Sequence, residues 1–149
     1  MDLVHMADKP LEGKAMTIND IIAAATALTP KLRAAIDVCN ELGCLPKDIM
    51  EELRAAGVFR MAFPAQLGGL QAKLADQTRV IEILAAANPS VGWTVMILAD
   101  SGYFAGMFDP KTAREIWPRF DMATSAVSRP PAKAEVVEGG YRLSGRIGF

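Results

Sequence analysis

The sequence predicts a mainly α-helical chain followed by the first strands of an incomplete antiparallel β-domain. Three observations carry that expectation. Apolar residues recur at helical spacing in successive runs between Thr17 and Trp117. Caps, prolines and glycines separate these runs. After Pro118 the pattern changes to short extended stretches around Glu138-Gly139-Gly140, a tight-turn signature. The expected partition is a flexible tail over residues 1–16, a helical domain over 17–120, and the start of a β-domain over 121–149 that breaks off in mid-strand at Phe149.

Thr17 is a good N-cap, and Ile18, Ile21, Ile22, Ala25 and Leu28 follow it at helical spacing. Thr29-Pro30 either restarts the helix or kinks it. Leu32, Ile36, Cys39 and Leu42 continue the apolar face up to Gly43. A second helix begins at Pro46, turns Ile49, Met50 and Leu53 to one side, and stops at Gly57. Pro64 and Gly68-Gly69 forbid a regular element next, which leaves an ordered loop packed by Phe59 and Phe63. A third helix over 75–87 carries Val80, Ile81, Ile83 and Leu84 and is expected to be largely buried. Asn88-Pro89 breaks it. Ser90 is expected to cap a fourth helix, apolar nearly all round, at the centre of a bundle. Asp109-Pro110 opens a short last helix through Trp117. Lys133 to Val137 and Tyr141 to Leu143 then read as two strands of a hairpin. A lone hairpin is marginal in water, so further strands are expected beyond it.

Composition narrows the function. At 51% hydrophobic and 22% charged residues, the 149-residue chain can bury a core. Its 16 basic and 17 acidic residues are dispersed, which argues against a nucleic-acid interface. Cys39 and Cys44 match no common zinc or redox spacing, and the single histidine, His5, lies in the polar tail. A histidine metal site or a Ser-His-Asp triad is therefore not expected, and no metal is assigned. The uncharged stretch Ile83–Ala99 is short for a membrane span and is interrupted by Pro89. With no signal-peptide pattern at the N-terminus, a cytoplasmic protein with no membrane partner is expected.

Two stretches carry a family resemblance. One is Glu51-Glu52-Leu53-Arg54-Ala55-Ala56-Gly57-Val58-Phe59 with Pro64 and Gly68-Gly69. The other is Val136-Val137-Glu138-Gly139-Gly140-Tyr141-Arg142-Leu143-Ser144-Gly145. In this order and separation they resemble the N-terminal part of the acyl-CoA dehydrogenase superfamily. The resemblance implies a subunit with a helical domain, a middle β-domain and a C-terminal four-helix bundle. A flavin lies between the last two, and such subunits form homo-oligomers, commonly tetramers. Where acyl-CoA dehydrogenases carry Leu-Thr-Glu-Pro-Gly, this chain reads Thr124-Ser125-Ala126-Val127-Ser128-Arg129-Pro130-Pro131. Together with Ser90-Val91-Gly92-Trp93 and Asp109-Pro110, that looks more like the flavin-dependent monooxygenase branch. Those enzymes take reduced flavin, FMN or FAD, from a separate reductase and hydroxylate an aromatic or other apolar substrate with oxygen.

The resemblance implies Ser125, Val127 and Ser128 as flavin contacts. It implies Trp93, Asp100, Ser101 and Tyr103 as candidates for the substrate pocket. Some monooxygenases place a histidine about two turns after the tryptophan. Here that region reads Ala99-Asp100-Ser101-Gly102, so Asp100 or Ser101 would replace its hydrogen bond. Aromatic residues at this spacing also serve as plain core. The family's acid or base lies in the C-terminal bundle, so no catalytic residue is assigned here, and the chain alone is not expected to hold flavin stably. Two other readings remain: an acyl-CoA dehydrogenase oxidising a CoA thioester, and a stand-alone helical binding or assembly module.

Overall fold

The computed structural model describes residues 16–119, 121, 122, 124 and 132–146. The tail expected over 1–16 therefore lies outside the described residues except for Met16, as does residue 120. So do Ser125, Val127 and Ser128, and the continuation of the last strand over 147–149.

Helix α1 runs Ile18–Ala34. It opens on a reciprocal cap: the Asp20 N–H donates to Thr17 Oγ1 at 3.3 Å, and the Thr17 N–H donates to the Asp20 carboxylate at 2.8 Å. The helix passes through Pro30 without breaking. Proline removes the N–H that would reach the carbonyl of Thr26. The Thr29 hydroxyl donates to that carbonyl instead, at 2.8 Å. The break comes at Ala35, and α2 (Ile36–Leu42) ends on left-handed Gly43. Helix α3 (Lys47–Ala55) is tied to α1 by Lys31, whose ammonium lies 2.7 Å from both Asp48 and Glu52.

The expected loop contains two single 3₁₀ turns, Val58–Arg60 and Ala65–Leu67, and Phe59 and Phe63 are fully buried as anticipated. Gly69 allows the chain to double back there, because a Cβ on it would meet the Phe63 carbonyl oxygen at 2.1 Å. Helix α4 (Leu74–Ala87) packs on α1 and on α5 (Pro89–Ala99). Gly92 permits the second contact: a Cβ there would lie 2.4 Å from that of Ala85.

Two expectations change at α5. Its N-cap is Asn88, not Ser90. The Asn88 side chain accepts from the Ser90 N–H at 3.1 Å, and its amide donates to the Leu32 carbonyl at 3.2 Å. Nor is α5 buried all round. Val91, Val95 and Ala99 face the core, whereas Trp93 is 57% and Met96 38% exposed. The helix also stops at Ala99. A separate short helix, α6 (Ser101–Ala105), follows, and α7 (Pro110–Ile116) is capped by Asp109.

The main core gathers Ile21, Leu32, Ile49, Leu53, Phe59, Met61, Val80, Leu84, Val91 and Val95. A second cluster joins Phe63, Leu67, Ala105, Ala113 and Trp117, with Met122 packed against it. Strands β1 (Ala132–Val137) and β2 (Gly140–Gly145) form the expected antiparallel hairpin, registered from Ala132↔Gly145 to Val137↔Gly140. Left-handed Gly139 makes the turn. Among the described residues no helix is long and apolar enough to cross a membrane.

Candidate functional site

The candidate pocket residues fall on either side of the helix break at Asp100. Trp93, on α5, borders an open groove of about 570 Å³ with Cys39, Gly43, Cys44, Pro89 and Thr94. Asp100 is exposed between α5 and α6, and its carbonyl accepts from the Tyr103 N–H at 3.0 Å. Tyr103 lies on a different groove of about 510 Å³, lined also by Pro64, Gln71, Gln77, Gly102 and Met107. The structure thus separates Trp93 from Tyr103, although the sequence suggested one continuous helix for both.

Gly102 builds the second groove. A Cβ on it would sit 2.3 Å from the backbone of both Ala62 and Phe63. Its absence lets α6 lie directly on that chain, which brings Tyr103 against α4. There the Tyr103 hydroxyl donates to Gln77 Oε1 at 3.3 Å. The Gln77 amide in turn donates to the Ala72 carbonyl at 2.8 Å, so the buried Gln77 is held at both ends. Gln71 stands at φ +47°, a conformation sparsely used by non-glycine residues. Its side chain accepts from the Ala65 N–H at 3.1 Å.

Gln71 and Gln77 were not among the residues singled out from sequence. For Gln77 a signal existed: it occupies the core-facing spacing of Val80, Leu84 and Ala87, where a polar residue needs a reason. For Gln71 none did, because backbone strain leaves no mark in one sequence.

Ser101 points inward. It is fully buried, and its hydroxyl lies 2.9 Å from the Leu98 carbonyl, 2.6 Å from the Thr124 hydroxyl and 2.9 Å from the Thr124 backbone nitrogen. Nearby, Asp121 sits 3.6 Å from the Arg54 guanidinium and 3.5 Å from that of Arg119. The indole N–H of Trp117 is buried with no acceptor among the described residues. No group of three or more His, Cys, Asp or Glu side chains that could hold a metal ion occurs among them.

The fold is a mostly helical body followed by an antiparallel hairpin. Residues 22–107 match the family described as acyl-CoA dehydrogenase, N-terminal domain, and the chain belongs to that family. Its relatives are flavin-dependent monooxygenases and hydroxylases. The oxygenase subunit HsaA of a flavin-dependent monooxygenase from Rhodococcus jostii is 30% identical over 120 residues, covering 80% of this chain and 31% of that protein. The oxygenase component of p-hydroxyphenylacetate 3-hydroxylase from Acinetobacter baumannii is 29% identical over 123 residues, covering 82% and 29%. Among solved structures, the HsaA monooxygenase from M. tuberculosis superposes with a TM-score of 0.81 at 27% identity, over 87% of this chain and 34% of that one. The chain thus spans about a third of the length of the relatives it matches.

Proposed function

We propose that this chain is the N-terminal portion of the oxygenase component of a two-component flavin-dependent monooxygenase that hydroxylates an aromatic or other apolar small molecule. The observation that carries this reading is the superposition on HsaA at a TM-score of 0.81. The names of the relatives support it, since they are monooxygenases and hydroxylases that include oxygenase components. In this reading residues 17–120 form the helical domain and 121–149 open the β-domain. A separate reductase supplies reduced FMN or FAD, and the full-length protein is a homo-oligomer.

Tyr103 is the pocket residue that the groove favours. It offers an aromatic face, and its hydroxyl is oriented by a buried amide rather than by mobile solvent. Such a wall suits a planar apolar substrate. Trp93 would meet substrate only through its own, separate groove, and Asp100 only from the exposed junction. Ser125, Val127 and Ser128 are the proposed flavin contacts. Two observations are compatible with a cofactor there: Thr124, the described residue that precedes the segment, is bonded to Ser101, and the Trp117 N–H lacks an acceptor among the described residues. When bound, reduced flavin supplies the oxygen-activating chemistry. This part of the protein orients the substrate and excludes water.

The test uses the longest polypeptide that contains this chain, incubated with reduced flavin, oxygen and a panel of phenols and indoles. Product carrying one added oxygen atom is expected. Oxidation of a CoA thioester with an artificial electron acceptor, and no hydroxylation, would replace this reading with a dehydrogenase. The isolated 149-residue chain is expected to purify without stoichiometric flavin. A yellow complex would overturn that part.

A further inference from the structure

We infer that the Tyr103 groove selects an aromatic ligand with a neutral hydrogen-bond donor, a phenol O–H or an indole N–H, and discriminates against one that carries a carboxylate. This rests on the reading above, in which Tyr103 lines the substrate pocket. It adds the charge of the substrate and the direction of its hydrogen bond. The groove, at about 510 Å³, has room for a small aromatic molecule.

The direction follows from a relay of two bonds. The Gln77 amide N–H donates to the Ala72 carbonyl at 2.8 Å, which turns the side-chain oxygen towards Tyr103. The Tyr103 hydroxyl donates to that oxygen, Oε1, at 3.3 Å. A phenolic hydroxyl has one proton. With that proton committed to Gln77, Tyr103 offers a ligand its oxygen lone pair. A ligand O–H or N–H completes it. A carboxylate has no proton to give. It would have to draw the Tyr103 proton away and leave the oxygen of the buried Gln77 unpaired.

Charge argues the same way. Among the described residues that line the groove, the polar side chains are Gln66, Gln71, Gln77 and Tyr103, and none is Asp, Glu, Lys, Arg or His. The guanidinium of Arg114 donates to the Gln66 carbonyl at 3.2 Å and to the Pro110 carbonyl at 3.5 Å, and Arg114 is not among the lining residues. An ionised carboxylate entering this groove would give up water without gaining a cation. A neutral hydroxyl suits it better. Tyr103 supplies an acceptor, and Gln71, whose oxygen accepts from the Ala65 N–H at 3.1 Å, supplies amide N–H donors.

The experiment measures binding by calorimetry on the longest polypeptide that contains this chain, without flavin. Three probes of similar size separate the terms: para-ethylphenol, para-ethylanisole, which lacks the O–H, and para-hydroxyphenylacetate, which replaces the methyl group by a carboxylate. The wild type should bind para-ethylphenol about fivefold more tightly than para-ethylanisole, and about tenfold more tightly than para-hydroxyphenylacetate. Tyr103→Phe should erase the preference for the phenol over the anisole. Met107→Arg sets a cation on the groove at a residue that is 78% exposed, and should narrow the gap between para-ethylphenol and para-hydroxyphenylacetate about fivefold. Binding of none of the probes, equal or tighter binding of the carboxylate by the wild type, a phenol preference that survives Tyr103→Phe, or a gap that Met107→Arg leaves in place overturns the inference. Failure of the monooxygenase reading looks different: the probes bind in the expected order, yet reduced flavin and oxygen add no oxygen atom to para-ethylphenol.

Discussion

Two glycines four residues apart in α6 and its end should respond oppositely to the same substitution. At Gly102 an added Cβ would sit 2.3 Å from the carbonyl carbon of Ala62 and the amide nitrogen of Phe63. Real Cβ atoms essentially never approach within 3.0 Å of such neighbours, and these are backbone atoms that cannot rotate aside. Helix α6 must therefore retreat by roughly 1 Å, and overpacking of this kind costs about 1–3 kcal/mol. At Gly106 the added Cβ would meet Pro64 Cγ at 3.4 Å, an ordinary contact, and the backbone at φ −69° is helical. There alanine lowers the entropy of the unfolded chain and should stabilise by about 0.5–1 kcal/mol. Urea unfolding followed by tryptophan fluorescence reads both, since Trp117 packs edge-on against Phe63 at 6.4 Å between ring centroids. Gly102→Ala should also weaken the Tyr103–Gln77 hydrogen bond, already long at 3.3 Å. Equal unfolding midpoints for the two variants would refute the close approach of α6 to the Ala62-Phe63 backbone.

Three further outcomes follow from the same geometry. Asn88→Ala removes the α5 cap and leaves the Leu32 carbonyl without its side-chain donor, so calorimetry should show a loss of about 1–3 kcal/mol. Pro30→Ala restores the missing helix N–H at an exposed site and should raise the thermal midpoint by an amount corresponding to about 1–3 kcal/mol. Acid should loosen two specific places. The Lys31 ammonium holds the Asp48 carboxyl below its usual range, and the Thr112 hydroxyl and N–H do the same for Asp109. Because both are lowered in the folded state, their contributions are complete above about pH 4 and are lost as pH falls through the depressed values. Lys31 is raised by Asp48 and Glu52, so its contribution holds below its ordinary range and fades only at higher, alkaline pH. Acid titration by NMR should show Asp48 and Asp109 protonating below the usual carboxylate range. Protonation of either within that range would contradict the bonding drawn for it.

Much of the helical body was legible because its signals are local. Thr17, Gly43, Gly57 and Asp109 act on their own backbone neighbours, and each ends or starts a helix where the sequence placed it. The hairpin was legible for the same reason, through Gly139. What escaped depends on groups distant in sequence. Asn88 outcompetes Ser90 as a cap because its amide also reaches Leu32, 56 residues away. The apolar character of α5 suggested burial on all sides, yet only its Val91–Val95–Ala99 face meets the described core. The candidate pocket residues were suggested by resemblance alone. That Trp93 and Tyr103 border different grooves was not legible, because the sequence suggested one helix where the structure has two.

That break explains how one short run of sequence can do two jobs. Had α5 continued regularly past Ala99, residues 101 and 103 would simply have taken the next places on its surface. Instead the run divides at Asp100, and a new short helix starts at Ser101. Ser101 is then directed into the protein, where it is saturated by Leu98 and Thr124. Tyr103 is left half-exposed in the groove beside Pro64, with Gln77 as its hydroxyl partner among the described residues. A saturated buried hydroxyl is suited to holding backbone still, and a half-exposed phenol with one bond is suited to meeting a ligand. The two residues should therefore separate on substitution: in the longer polypeptide, Tyr103→Phe should raise KM for the aromatic substrate with little loss of stability, and Ser101→Ala should lower stability by about 1–3 kcal/mol. If Tyr103→Phe left KM unchanged, or Ser101→Ala left the unfolding midpoint unchanged, the division of labour at Asp100 would be wrong.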